Sequence, residues 1–183
     1  MPEEFKRLDR TLKYEGAIID FYQDTVLVPN GNIVHWDFIG HKGAAAVVPV
    51  MDDGRILMVR QYRNALDRYT LEIPAGGRNH IDEPFLDCAL RELEEETGYK
   101  TERSNMEFLI NIRTTVAFCN ELIQVYVAKN LQPSTQKLDE DEFIHVKPYT
   151  IEELCEKIYA GEIEDGKTIS SLMAYKNKYI TYF

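Results

Sequence analysis

The stretch Gly76-Gly77-Arg78-Asn79-His80-Ile81-Asp82-Glu83-Pro84-Phe85-Leu86-Asp87-Cys88-Ala89-Leu90-Arg91-Glu92-Leu93-Glu94-Glu95-Glu96-Thr97-Gly98-Tyr99 combines a helix signal with a cluster of carboxylates. A helix is predicted from Pro84, because proline is favoured at the first helical position and Asp82 or Glu83 can cap just before it. Phe85, Leu86, Ala89, Leu90 and Leu93 recur at helical spacing and form one apolar stripe. Gly98 stops the helix, as a residue free to adopt positive φ does. Glu92, Glu95 and Glu96 stand at i, i+3 and i+4, so all three share a face. Like charges at those spacings repel, and hard oxygen donors suit Mg²⁺ or Mn²⁺, which would remove the repulsion. Glu83 lies about two and a half turns before Glu92 and cannot join that face while helical. It is expected to approach from the preceding loop and pair with Arg91.

Gly77, Glu83, Arg91, Glu92, Leu93, Glu95, Glu96, Gly98 and Tyr99 follow the order G-x5-E-x7-R-E-U-x-E-E-x-G-U, with U a bulky apolar residue. This pattern resembles the Nudix box. Its seven single-type positions make chance agreement at a given start on the order of 10⁻⁸ at average residue usage. The resemblance implies an α/β protein, a Nudix α/β/α sandwich with a mixed sheet. It also implies a magnesium-dependent hydrolase that cuts the diphosphate of a nucleoside diphosphate linked to another group.

Around the box, hairpin signals dominate the first third. Asn30-Gly31 separates Thr25–Val28 from Ile33–Ile39, and Asp53-Gly54 separates Ala44–Met51 from Arg55–Tyr62. Short strands are predicted at Leu12–Tyr14 and Thr70–Ile73, and later ones at Met106–Arg113, Leu122–Lys129 and Phe143–Val146. Thr150 and Glu153 form a capping box for a helix with the stripe Ile151, Leu154, Cys155 and Ile158, ended by Gly161. A last helix runs from about Lys167 to Lys178. Residues 1–40 are read as a strand-rich extension and 41–183 as the hydrolase domain.

Net charge is −10, which argues against a nucleic-acid duplex or an anionic membrane as main partner. Local positive charge for a diphosphate would come from metal ions. Cys88, Cys119 and Cys155 are odd in number and lack metal-ligand spacing, which suits buried reduced thiols. No secretory signal, apolar membrane span or internal repeat is visible, so a cytoplasmic location is expected.

Within the family the chain is similar to the ADP-ribose pyrophosphatases. The similarity takes in Val28-Pro29-Asn30-Gly31, Arg60-Gln61-Tyr62-Arg63, Glu72–Gly76, the box, Asn120-Glu121 and the acidic stretch Leu138–Ile144. It implies a nucleoside diphosphate sugar as substrate. Glu92, Glu95 and Glu96 would hold two or three ions, joined by the Ala75 carbonyl. Glu140 and Glu142 become candidates for the general base and a further metal ligand, with either assignment open. Arg91 and Glu92 count among the catalytic residues, Arg63 and Arg60 would bind phosphate, and Trp36, Tyr22 or Phe21 would stack on the base. A two-fold homodimer is implied, the extension crossing to a second subunit. Where the subfamily usually has Ser-Pro-Gly-Phe, this chain has Thr115-Val116-Ala117-Phe118. That leaves open another nucleoside diphosphate derivative, a nucleoside triphosphate, or a catalytically silent ligand-binding module.

Overall fold

The structure is a computed structural model that describes residues 4–180 apart from 139 and 141. Two compact units emerge. One groups the chain up to Gly43 with Arg113–Leu122, and the other groups Ala44–Ile112 with the chain from Ile123 onward.

The first unit carries an antiparallel sheet of β1 (Lys6–Glu15), β2 (Asp20–Leu27) and β3 (Ile33–Gly40), in that order. Gly31 closes the β2–β3 turn at φ 87°, a conformation that costs glycine nothing, and donates to the Val28 carbonyl at 2.9 Å. β1 is longer than the Leu12–Tyr14 segment expected from sequence. Its residues are nearly all exposed and highly charged, so no apolar alternation announces it. It is held instead by its ladder to β2 and by Arg10, which grips Asp24 through two bonds of 2.6 Å. The segment 113–122 joins this unit through β3: Ile39 N donates to the Phe118 carbonyl at 2.7 Å, and Asn120 N donates to the Ile39 carbonyl at 3.3 Å.

The remaining elements are β4 (Ala44–Pro49), β5 (Ile56–Arg63), β6 (Arg68–Glu72), β7 (Ala75–Gly77), α1 (Phe85–Thr97), β8 (Tyr99–Lys100), β9 (Met106–Arg113), β10 (Leu122–Ala128), β11 (Gln132–Pro133), β12 (His145–Tyr149), α2 (Ile151–Tyr159) and α3 (Gly166–Tyr179). One sheet has the order β7-β4-β10-β9, with β4 parallel to β10 and antiparallel to β7. A second, antiparallel sheet has the order β12-β5-β6. β4 is buried throughout, and its side chains alternate between two layers. Ala44, Ala46 and Val48 pack with Ile151, Leu154, Leu172 and Tyr175 of α2 and α3. Ala45 and Val47 pack with Cys88, Ala89 and Leu93 of α1. Helices therefore cover both faces, and the α/β/α sandwich follows.

The hairpin expected around Asp53-Gly54 is only a turn. Gly54 makes it at φ 83°, but beyond the Val50–Ile56 bridge β4 and β5 part into different sheets. Both are runs of consecutive buried residues, each paired with a strand on either side, and such runs need neighbours that local spacing does not name. The helix starts also differ in detail. Pro84 is itself the extended residue before α1, with no side chain capping the helix, because Glu83 is used elsewhere. The Thr150–Glu153 capping box forms as expected, and Asp165 caps α3. The strand expected at 143–146 lies at His145–Tyr149 instead, leaving Phe143 exposed. Cys88 and Cys155 are buried free thiols, whereas Cys119 is half-buried. Among the described residues no helix is long and apolar enough to cross a membrane.

Candidate active site

α1 presents its carboxylates to one arginine. Arg91 donates to Glu92 at 2.6 Å, to Glu95 at 2.9 Å, to Glu83 at 3.3 Å and to the Gly77 carbonyl at 2.9 Å. Glu83 does approach from the loop, where it also accepts from Asn79 N at 2.6 Å. One guanidinium thus ties the loop, the end of β7 and the acidic face of α1 together.

Glu92 and Glu96 are buried at 8% and 4% exposure. Burial pushes Glu92 up to about 7 despite Arg91 beside it. Burial, reinforced by the charge of Glu92, pushes Glu96 up to about 8. Two buried carboxylates so close cannot both ionise comfortably without a cation. Glu96 accepts the Ala75 N–H at 2.9 Å, which places the Ala75 peptide beside the cluster. Gly76 leaves the room that Glu92 fills: a Cβ there would collide with the Glu92 carboxylate. As the side chains stand, no three His, Cys, Asp or Glu groups among the described residues enclose an ion, since Arg91 and Ala75 hold these carboxylates. The donor set nevertheless fits a hard divalent cation, being rich in oxygen, negatively charged and partly dehydrated.

Residues 132–137 carry the acidic loop to this helix. β11 pairs with β8, Ser134 N donates to the Gly98 carbonyl at 2.7 Å, and Lys137 N donates to the Glu95 carbonyl at 3.0 Å. Gln136 bridges the Glu96 carbonyl at 2.7 Å and the Ile144 carbonyl at 3.3 Å. Gly98 permits this approach, standing at φ 69° with Gln136 N only 3.1 Å from where a Cβ would lie. Glu142 is thereby brought within electrostatic reach of both Glu92 and Glu96. Glu140 and Glu142 are exposed, while Asp139 and Asp141 of the same loop lie outside the described residues.

The two arginines of β5 are separated by their spacing. An interval of three residues puts Arg60 and Arg63 on opposite faces of a strand. Arg60 lies over the Tyr69 ring at 3.9 Å. Arg63 makes a bidentate pair with Glu72 at 2.7 and 2.6 Å, through Nε and Nη2. Glu72 also binds Lys167, and Thr70 donates to it at 2.6 Å. Burial alone would raise the Glu72 carboxyl, but Arg63 and Lys167 overcome it and hold it at about 2. Arg63, Glu72 and Lys167 line a cavity of about 380 Å³. In the first unit, register sets Tyr22 opposite Phe38 and Asp24 opposite Trp36, so Tyr22 and Trp36 share a face while Phe21 lies on the other. Trp36 is 49% exposed, with Phe5 at 5.9 Å.

The NUDIX domain family matches residues 40–172. The chain belongs to the Nudix family and is a pyrophosphatase-type hydrolase. It is 38% identical to the ADP-ribose pyrophosphatase of Bacillus subtilis (strain 168), over 90% of this chain and 89% of that protein. It is 39% identical to the methanol dehydrogenase activator of Bacillus methanolicus, over 88% and 89%. It is 32% identical to the ADP-ribose pyrophosphatase of Mycobacterium tuberculosis, over 93% and 83%. The crystal structure of an ADP compounds hydrolase has the same fold, with a TM-score of 0.83 at 18% identity, over 96% of this chain and 94% of that one.

In this Nudix hydrolase several partners of the site carry no strong local signal. Glu72 stands between Leu71 and Ile73 as a lone acid in a strand, and its burial was the clue to a counter-charge. Gln136 and Lys167 look like surface residues. Thr168 was reachable, since Asp165 three residues earlier reads as a helix cap.

Proposed function

We propose that this Nudix hydrolase cleaves the diphosphate of ADP-ribose or a related nucleoside diphosphate sugar, using Mg²⁺ or Mn²⁺. The observation that carries the proposal is the buried Glu92–Glu96 pair set against Gly76, which a divalent cation would allow to ionise together. The relatives named ADP-ribose pyrophosphatase support the choice of substrate. A divalent ion held by Glu92, Glu95, Glu96, Glu142 and the Ala75 carbonyl would neutralise the diphosphate and supply a water of lowered pKa. Glu140 would act as general base, taking the proton of the attacking water as its oxygen bonds to phosphorus and the bridging P–O bond breaks. The products are a nucleoside monophosphate and a sugar phosphate. Arg63 offers a phosphate its Nη1 edge, since Glu72 takes Nε and Nη2. Trp36 and Tyr22 stack on the base. A panel of diphosphates with Mg²⁺, read by phosphate release after added phosphatase, tests this. ADP-ribose or a close analogue should be turned over fastest, and a panel in which only triphosphates react would overturn the substrate assignment.

The electrostatic reach of Glu142 toward Glu92 and Glu96 favours it as the metal ligand, which leaves Glu140 as the base. Glu142→Gln is expected to raise the Mg²⁺ concentration required, and Glu140→Gln to lower turnover at unchanged metal requirement. Wild-type behaviour in both variants would move the base elsewhere, with Glu121 next.

We further propose a cytoplasmic two-fold homodimer whose N-terminal strands complete the substrate site. Phe5, Leu8, Leu12, Tyr14, Ile33 and Trp36 are all exposed, more apolar surface than a small sheet leaves uncovered. Light scattering of active protein should give twice the 21.3 kDa of one chain, and a single-chain mass would refute the dimer.

A further inference from the structure

The stretch from Glu72 to Ala75 sets two groups of the site: the Glu72 carboxylate that holds Arg63, and the Ala75 peptide beside Glu96. Pro74 has no N–H to anchor the stretch. Its carbonyl accepts from Val47 N at 2.9 Å. Ala75 is paired with Ala46 of β4 and donates to Glu96, and further ties come from the start of α3. Ile73 N donates to Thr168 Oγ1 at 3.1 Å. Thr168 is fully buried, and its hydroxyl hydrogen is committed to Asp165 at 2.6 Å, so an oxygen lone pair faces Ile73. Lys167, with only 11% of its side chain exposed, binds Glu72 and Asp165 together. Capping α3 requires only the bond from Thr168 N to Asp165. The Thr168 hydroxyl and the Lys167 ammonium, both bonded to Asp165, also reach across to β6 and its exit.

We propose that the start of α3 is a positioning device for the active site, with Thr168 setting the backbone from Ile73 to Ala75 toward the metal and Lys167 setting the Glu72–Arg63 pair toward the diphosphate. The inference rests on the metal and phosphate roles proposed above. Thr168→Val keeps the shape but leaves the Ile73 N–H without its Thr168 acceptor, and the Ala75 peptide that donates to Glu96 then shifts with it. Lys167→Met keeps the length but removes one of the two cations on Glu72, which frees the Arg63 fork to move.

Mn²⁺ binding to the whole protein, followed by electron paramagnetic resonance without substrate, tests the first half. Thr168→Val should weaken Mn²⁺ about 10- to 100-fold, the usual size of an outer-shell effect on metal affinity, while Thr168→Ser stays near wild type. The second half is read from the Arg63 Nε–H resonance, assigned by its loss in Arg63→Lys. Its exchange with solvent should be about tenfold faster in Lys167→Met, the size expected for losing a charge-assisted partner, and restored in Lys167→Arg. In kinetics at saturating Mg²⁺, Lys167→Met should raise KM for the diphosphate sugar more than it lowers kcat. Thermal unfolding confirms that each variant is folded. Unchanged Mn²⁺ affinity in Thr168→Val, a Ser variant no better than Val, or unchanged Arg63 exchange in Lys167→Met would overturn the proposal. If the wild type cleaves no diphosphate sugar, the substrate assignment falls, and the Mn²⁺ and exchange measurements still decide this one.

Discussion

Replacing Glu96 with Gln is expected to cut turnover of a nucleoside diphosphate sugar about 10³-fold, the size of a lost metal-centred electrostatic contribution. The same change should leave the metal-free fold intact. Glu96 is buried and held high, at about 8, by burial and by the charge of Glu92. Gln has the same shape, and its amide oxygen can still accept the Ala75 N–H that now bonds at 2.9 Å. With Glu96 held at about 8, the metal-free carboxyl is already mostly neutral near pH 7, so the neutral amide should leave the unfolding temperature without metal about unchanged. The stabilisation that wild type gains from added Mg²⁺ should shrink. Steady-state kinetics and thermal unfolding with and without Mg²⁺ check both halves. A near-normal rate with unchanged metal dependence would show that Glu96 is not a ligand.

Arg91→Ala is expected to damage stability and activity together. Arg91 serves Glu83, Glu92, Glu95 and the Gly77 carbonyl at once. Its removal leaves Glu83 and Glu92, both 8% exposed, as buried acids without their cation. Breaking a buried pair from one side costs about 3 kcal/mol. For a chain of this length that lowers the melting temperature by roughly 6–12 °C. Activity falls as well, because the carboxylates lose the fork that spaces them. Arg91→Lys should recover only part of either loss, since one ammonium cannot span four acceptors. Scanning calorimetry showing unfolding within about 2 °C of wild type would contradict the bracing role.

The part of the site carried by one helix was legible in the sequence, and the part assembled across the chain was not. In α1 the apolar period, the three glutamates and Gly98 all report on one local geometry, so the helix, its acidic face and the Glu83–Arg91 pair could be read directly. The capping box at Thr150 was legible for the same reason. Glu72 meets Lys167, and Ile73 meets Thr168, across 95 residues, and Gln136 meets Glu96 across 40. No spacing rule reaches that far. The pairing of β4 and β5 failed similarly, because a run of consecutive buried residues shows that a strand is interior without naming its neighbours. Arg63 could be named as a candidate from its place at a strand end, but its side-on grip of Glu72 could not be read from the sequence. The separation of Arg60 from Arg63 was present in their interval of three and needed only the two-residue period of a strand.

The central claim is that this chain hydrolyses a diphosphate sugar with a divalent ion at the carboxylates of α1. Its most direct test is ADP-ribose incubated with the protein and Mg²⁺, with and without excess chelator, and followed by phosphorus NMR. AMP and ribose 5-phosphate should appear in equal amounts with Mg²⁺ and be absent with chelator, and full turnover in excess chelator would contradict the account.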